Sequence, residues 1–435
     1  MRLQRIDASA FAELGADAVA VALRGMVPDA ASVSDEVRVI IDAVRSEGDA
    51  AVAGFTRTFD APDAPDRPLR VTQEELDAAI TLLPLELVAG LQVAIANVAL
   101  VAEAGVRSEG AVSLPQGQRI ALREVPVSSA GVYVPAGRAP YPSTVVMGVV
   151  CARSAGVVDV SVCAPPGPDG EIDPVILGTC RLCGVQRVYR MGGAQAIAAL
   201  AYGTASVERV EVIVGPGNLY VQEAKHQLSR IVGIDGFAGP SDLLVALAAG
   251  SGQRDIELAA LDMLAQGEHG EASLVVATSP SQDVCARLAA ELERLVLDRP
   301  TVADAAFGIV AVPGPREAIA LANAFAPEHL QLIGAELEQL ATLVTSAGCV
   351  FIGAASGTAF GDYVAGSNHV LPTAGAARFG SGLSPRHFRR TMAEVRIGEA
   401  APKLAAAGAP IARAEGFEVH AESMEARAVS ENESP

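Results

Sequence analysis

Gly131-Val-Tyr-Val-Pro135, then a helical run from Pro142, then Val157-Val-Asp-Val-Ser-Val-Cys-Ala164: this stretch decides the fold. Short β-branched runs alternate with Ala-rich helical runs. A helix near 174–184, a strand at 187–191, a helix from Ala194 and a strand at 209–214 follow. Strands separated by helices of about ten residues or more predict βαβ units and a parallel sheet. The pattern restarts after Gly239-Pro-Ser241, with strands at 243–247, 273–278, 309–312, 330–333 and 350–352. The expectation is an α/β chain with two Rossmann-like parallel-sheet domains, a helical N-terminal segment and a helical C-terminal tail.

Outward from this centre, residues 1–30 read as a helical segment ending in a turn at Val27-Pro28. Residues 31–130 with 241–380 form the first, discontinuous α/β domain, and 131–240 the second. The cleft between two such domains is the default ligand site. In the first domain Ser34-Asp35-Glu36 reads as an N-cap with an acidic first turn, ahead of Val37, Ile40, Ile41 and Val44 at helical spacing. Thr72-Gln-Glu-Glu75 reads as a capping box, and this N-terminal third is mostly helical. From 381 the strand pattern stops. The tail, 381–435, reads as helical with a frayed polar end, and without a core of its own it must dock on something.

Composition narrows the function classes. Of 435 residues, 50% are hydrophobic and 19% charged, which suits a globular enzyme, and the net charge of −19 argues against nucleic acid or an anionic membrane as partner. No secretory signal and no run of about 18 charge-free apolar residues is present, so a soluble, cytoplasmic protein is expected. Cys180-Arg-Leu-Cys183 has metal or redox spacing, but its apolar neighbours and the lack of a second such pair favour core packing.

The candidate chemistry lies in His-bearing segments. Glu328 and His329, in Ala-Pro-Glu-His-Leu, put a carboxylate beside an imidazole; in extended backbone they diverge, which suits two successive proton transfers at one carbon, although an exposed dipeptide at a helix end has the same sequence. Gln266 and His269 lie i, i+3 near a helix end, with Asp262 one turn earlier, a fair spacing for metal and equally for a polar helix terminus. Asp362 and His369 sit in Phe360-Gly-Asp-Tyr-Val-Ala-Gly-Ser-Asn-His, read as a structured loop after a strand. Gly192-Gly-Ala-Gln195 and Gly215-Pro-Gly-Asn218 each follow a strand and open a helix, offering backbone N–H groups to phosphate without the standard dinucleotide fingerprint. His226 and His387 read as surface residues.

Together these segments resemble histidinol dehydrogenases. The likeness runs from about residue 35 to 427 and rests on Gly131-Val-Tyr-Val-Pro-Ala-Gly, Gly192-Gly-Ala-Gln-Ala-Ile-Ala-Ala-Leu, Gly215-Pro-Gly-Asn, Ala238-Gly-Pro-Ser, Gln266-x-Glu-His-Gly, Ala326-Pro-Glu-His-Leu, and Gly361-Asp-Tyr through Asn368-His-Val-Leu-Pro-Thr. The resemblance implies NAD-dependent, zinc-assisted, four-electron oxidation of L-histidinol to L-histidine through the aldehyde. It implies zinc on Gln266, His269, Asp362 and His420, and NAD at Tyr133, Gln195 and Asn218, making 131–240 the NAD side. Substrate would meet Ser241, His329, His369 and Glu415 besides the metal ligands. His329 would take the alcohol proton, and Glu328 would activate the water that hydrates the aldehyde. The tail would cross to the other subunit of a homodimer, so that Glu415 and His420 complete the partner's site.

The sequence departs from the family pattern in three places. Asp242 stands where Glu is usual, Gly267 replaces Ala, which predicts a looser helix end, and 379–387 is rich in Gly and Arg. Two alternatives carry different chemistry. One is a paralogue oxidising another small polar alcohol, such as a sulfonated diol; the presence of His369 and Glu415 favours histidinol. The other is a non-catalytic protein with structural zinc, which has no use for Glu328-His329.

Overall fold

The computed structural model describes residues 2–27, 32–135, 139–236, 239–302 and 305–428. Ala136 and Gly137 of the first motif, Ala238, the Pro28 turn and the 430–435 end lie outside these residues. The chain divides into two compact units, one of residues 1–105 and 128–388, the other of 106–127 and 389–435.

The first unit holds two all-parallel sheets, as the alternation of strand and helix predicts. The larger has six strands in the order β1-β11-β10-β9-β12-β13: β1 (Arg2–Ile6), β9 (Asp242–Leu247), β10 (Leu274–Ser279), β11 (Ala306–Ala311), β12 (His329–Ile333) and β13 (Cys349–Ile352). The smaller has the order β6-β5-β4-β7-β8: β4 (Ser129–Tyr133), β5 (Asp159–Ala164), β6 (Arg187–Arg190), β7 (Val212–Val214) and β8 (Gly233–Ile234). Strands β9 to β12 are buried at every position. Leu243, Val245 and Leu247 enter one apolar core and Leu244 and Ala246 another, so the two-residue period of the strand builds a core on each face.

Chain order reverses once in each sheet: β10 and β11 extend one way from β9 before β12 returns to its other side, and β4 plays the same part between β5 and β7. Such reversals open a crevice between neighbouring loops.

Local signals hold in part. Thr72 and Glu75 form the capping box reciprocally, at 2.7 and 3.2 Å. The helix Ser34–Glu47 buries Val37, Ile40, Ile41 and Val44, but its N-cap is Val33 and no side chain caps it. The N-terminal segment is not helical throughout: β1 precedes the helix Ala8–Arg24, which kinks at Gly15 (φ 78°). Pairing with β11 makes β1 a strand; five residues with exposed Arg side chains carry no local strand signal.

The second unit corrects the reading of the tail as purely helical. Arg389–Arg396 is strand β14, antiparallel to β3 (Arg119–Pro126), which pairs in turn with β2 (Gly110–Ser113). Charged strands that are exposed or half-buried throughout lack the β-branched composition that marks the parallel sheets, so cross-strand hydrogen bonds far apart in sequence define them. The helices Ala401–Ala414 and Glu418–Glu425 follow. They meet over Ala409, Ala412, Ala421 and Met424, and a Cβ at Gly408 would stand 2.7 Å from Met424 Sδ. Arg413 ties them by pairing with Glu418 and Glu425.

Among the described residues one helix, Leu85–Ala104, is long and apolar enough to cross a membrane by length and composition. It buries Leu91, Ala94, Val98 and Ala102, and Asn97 Nδ2 donates to Val364 O at 2.7 Å. Leu85, Val93, Leu100 and Val101 are exposed.

Candidate active site

Two clusters gather the site residues of the first unit. The first forms where β9 and β12 begin. The helix Pro315–Phe325 stops at Ala326, whose left-handed φ of 50° and the following Pro327 turn the chain into β12. Glu328 is 6% and His329 2% exposed, so this pair is not a surface dipeptide. Asp242, fully buried at the start of β9, fixes Glu328 from two sides: Glu328 N–H donates to Asp242 Oδ1 at 2.7 Å, and Asp242 N–H donates to Glu328 Oε2 at 3.0 Å. Asp242 Oδ2 accepts from Arg24 Nη1 at 2.7 Å and from Ala374 N–H at 3.0 Å.

A polar chain leads away from Glu328. Ser241 Oγ donates to Glu328 Oε2 at 2.5 Å and accepts from Gln266 Nε2 at 2.6 Å. His269, just beyond the helix Gln253–Gly267, holds Nδ1 3.1 Å from Gln266 O, a contact that protonates Nδ1 and leaves Nε2 with the lone pair. Asp262 lies outside this chain and accepts from Gln331 at 2.8 Å. Gly267 is the last residue of its helix. It is buried, and a Cβ there would meet Phe307, Ala305 and Val302 at 3.3–3.4 Å.

On the other side of His329, Nε2 lies 3.5 Å from Asp362 Oδ1, while Nδ1 is 3.8 Å from Glu328 Oε2 and makes no hydrogen bond among the described residues. Asp362 is in a short helix, Thr358–Tyr363, not a loop. Burial pulls the His329 imidazole down, but Glu328 and Asp362 outweigh it and the net shift is upward. For Glu328 burial wins: the carboxyl is raised, with Asp242 adding to the shift against the pull of His329 and its hydrogen bonds. Burial alone would raise Asp362; His329, His369 and His269 hold it below the usual range. His369 is pushed down to about 4 by burial, and its Nε2 is sealed from solvent with no hydrogen-bond partner among the described residues. Among the described residues no three of His, Cys, Asp and Glu form a metal cage by themselves. Glu415 and His420 belong to the second unit, at the end of Ala401–Ala414 and in Glu418–Glu425.

The second cluster lies at the other kind of strand end. Tyr133 closes β4, Gln195 is on the helix Gly193–Tyr202 after β6, and Asn218 caps the helix Leu219–Leu228 after β7, accepting from Val221 N–H at 3.1 Å. All three line one cleft of about 530 Å³, with Asp60, Pro165 and Tyr220. The glycine loops are not open phosphate cradles at their first N–H groups. Gly193 N–H donates to Tyr133 Oη at 3.2 Å, the Gly192 backbone bonds Asp60, and Gly215 N–H donates to Asp235 Oδ2 at 2.6 Å. Asp235 is held by Lys225 Nζ at 2.7 Å; that lysine is fully buried, although its helix reads as exposed and His226 beside it is exposed. His387 is half-buried, Nδ1 accepting from Ser384 N–H at 3.1 Å.

The arrangement therefore has a buried acid/base pair fixed by backbone clamps, and a separate cleft able to hold a ligand with several polar groups. The sequence profile of histidinol dehydrogenase matches residues 25–428. The chain belongs to the histidinol dehydrogenase family. It is 41% identical over 398 residues to the histidinol dehydrogenase of a Synechococcus species, covering 90% of this chain and 91% of that protein. To the Gluconobacter oxydans histidinol dehydrogenase it is 38% identical over 432 residues, covering 98% and 99%. Its fold matches the crystal structure of histidinol dehydrogenase from Elizabethkingia anophelis with a TM-score of 0.90 at 30% identity, over 98% of this chain and 97% of that one.

As a histidinol dehydrogenase family member the chain is an oxidoreductase acting on alcohol and aldehyde. Aldehyde oxidation often runs through a thiolate, but burial pushes the Cys183 thiol up to about 12 and raises Cys349, which lies opposite His329 on β13. Two residues of the clusters escape sequence reasoning as functional groups: Asp242, noted only as a departure, and Asp60. Neither sits in a His-bearing motif; a charged residue opening an apolar strand was the one available signal for Asp242.

Proposed function

We propose that this chain catalyses the NAD-dependent, zinc-assisted oxidation of L-histidinol to L-histidine through L-histidinaldehyde. The observation that carries the reading is the buried Glu328-His329 pair, clamped by Asp242 and Ser241 and facing Asp362. Neutral His329 takes the alcohol proton as the same carbon is oxidised to the aldehyde; bound NAD would supply the hydride acceptor. Glu328 takes a proton from water as the water oxygen bonds the aldehyde carbon. His329, once it has released its first proton to solvent, takes a hydroxyl proton of the hydrate in the second oxidation, so one histidinol, one water and two NAD⁺ would yield histidine, two NADH and three protons. The upward shift of both groups suits proton acceptors working near neutral pH.

The donor set supports zinc. Gln266, His269 and Asp362 offer mixed nitrogen and oxygen ligands, and the Nδ1 contact of His269 turns its Nε2 into a ligand atom. Zinc on these residues, with His420 as the fourth, would supply a redox-inert Lewis acid that orients the substrate's polar groups. Ser241, His369 and Glu415 are proposed to face the substrate. NAD is assigned to the cleft of Tyr133, Gln195 and Asn218. Since His420 and Glu415 lie in a unit whose own apolar core is little more than Ala409, Ala412, Ala421 and Met424, a homodimer in which the tail completes the partner's site is the favoured assembly. The exposed Leu85, Val93, Leu100 and Val101 add an apolar surface for it.

The purified protein is expected to form two NADH per L-histidinol, to lose that activity to a chelator, and to regain it with zinc. One NADH per substrate, or activity indifferent to chelation, would overturn the corresponding part. His420→Asn is expected to lose bound zinc at least about tenfold more readily, in line with loss of one ligand from a four-ligand site. Metal content unchanged by ICP-MS after dialysis removes His420 from the ligand set.

A further inference from the structure

Asp60 is the carboxylate of the cleft that the reaction leaves unused. It caps the helix Asp49–Phe59 and lines the same cavity as Tyr133, Gln195 and Asn218. Its Oδ2 accepts from Gln195 Nε2 at 3.3 Å and the Gly192 backbone bonds the carboxylate, so it lies at the N-terminus of the helix Gly193–Tyr202. Glycine is required beside it. A Cβ at Gly192 would stand 2.5 Å from Pro165 Cγ and 3.2 Å from Asp60 Oδ1, and Gly193 has a φ of +59°.

A helix N-terminus after a parallel strand is where an α/β fold ordinarily receives a phosphate. Here that partial positive charge is already met by the protein's own carboxylate. Burial pushes the Asp60 carboxyl up to about 6 against the pull of the Gly192 backbone hydrogen bond. Among the described residues only Gln195 and the Gly192 backbone are hydrogen-bonded to this partly buried carboxylate, and a ligand with hydroxyl donors would stabilise it further.

We propose that Asp60 contacts the dinucleotide, accepting hydrogen bonds from the vicinal hydroxyls of a ribose, and that by occupying the Gly193–Tyr202 N-terminus it makes the enzyme select NAD over NADP. The inference rests on the assignment of this cleft to NAD. A ribose diol matches two carboxylate oxygens, whereas a 2′-phosphate would bring a second anion to the same point. Gln195 then has two tasks, meeting the cofactor and fixing the Asp60 rotamer.

Steady-state kinetics on the full-length protein, with L-histidinol saturating and NAD or NADP varied, test this on Asp60→Asn and Asp60→Ser. Loss of hydrogen bonds to a charged group predicts a rise in KM for NAD of about 10- to 100-fold, with a far smaller change in kcat. The ratio of kcat/KM for NADP to that for NAD is expected to rise at least about tenfold, since a like charge has been removed. A merely structural prop for Gln195 would not move that ratio. An unchanged NAD KM together with an unchanged NADP-to-NAD ratio in the folded Asp60→Asn protein, which keeps the shape of the side chain, overturns the proposal. Wild-type protein that reduces neither nucleotide overturns the cofactor assignment beneath it.

Discussion

Glu328→Gln is expected to stop the reaction at the aldehyde. The amide keeps the size of the carboxylate and can still accept from Ser241 Oγ and Asp242 N–H, so the clamp at the start of β12 persists. What is lost is the proton acceptor. A positioned general base contributes about 10²- to 10⁴-fold, so aldehyde oxidation should fall by about that factor. The alcohol step responds differently. Glu328 is one of the charges that raise His329, so removing it lowers the imidazole and leaves more of it neutral at a given pH. Alcohol oxidation should therefore remain within about tenfold of wild type, a smaller effect than loss of a general base. Single-turnover NADH formation from L-histidinol and from L-histidinaldehyde separates the two steps. The variant should release about one NADH per histidinol, on the assignment of the second oxidation to water activated by Glu328. Equal loss in both half-reactions would remove Glu328 from the hydration step and make it a positioning group for His329.

How much of this was legible follows from where each signal is stored. The parallel sheets were readable because strands buried on both faces must be continuously apolar, and Leu243 to Leu247 can be little else. Strands β1, β2, β3 and β14 were not, because charged or exposed strands take their identity from partners distant in sequence. The His-bearing segments were visible as motifs, yet composition could not tell a buried Glu328-His329 from a solvated one; Asp242, more than eighty residues away, decides that. Placement beyond the carboxyl ends of parallel strands describes one cluster and not the other. Tyr133 and Asn218 follow it at the β4/β7 reversal, whereas Ser241, Glu328 and His329 gather at the amino ends of β9 and β12. Both use a chain reversal, so the topology marks the crevice without saying which side of the sheet carries the chemistry. Asp60 was silent for another reason: it closes a helix remote in sequence from every glycine loop, and only the packing of that helix brings it to Gly192.

Asp242→Ala should be the most destabilising single change in the clamp. Its carboxylate is fully buried and meets three donors: Arg24 Nη1, Ala374 N–H and Glu328 N–H. The Arg24 guanidinium is itself confined, stacked 4.0 Å over the Phe325 ring with Nη2 on Phe325 O. Alanine would leave a largely desolvated cation and two buried N–H groups without acceptors. Removing one partner of a buried pair costs about 3–5 kcal/mol, because the other charge remains uncompensated. Against a typical stability of about 5–15 kcal/mol this is a large fraction, readable as a lower denaturation midpoint with an unchanged slope. Asp242→Asn keeps an acceptor for one N–H and loses the ion pair, so its cost should fall between alanine and wild type. Activity should drop further than stability requires, since Glu328 would no longer be held by its own N–H. The decisive measurement is kcat for aldehyde oxidation at a temperature where the variant remains folded. A variant that unfolds within about 1 kcal/mol of wild type, the range of an ordinary surface substitution, would mean that Arg24 and the two N–H groups find water or other acceptors, and that Ser241 alone suffices to hold the base.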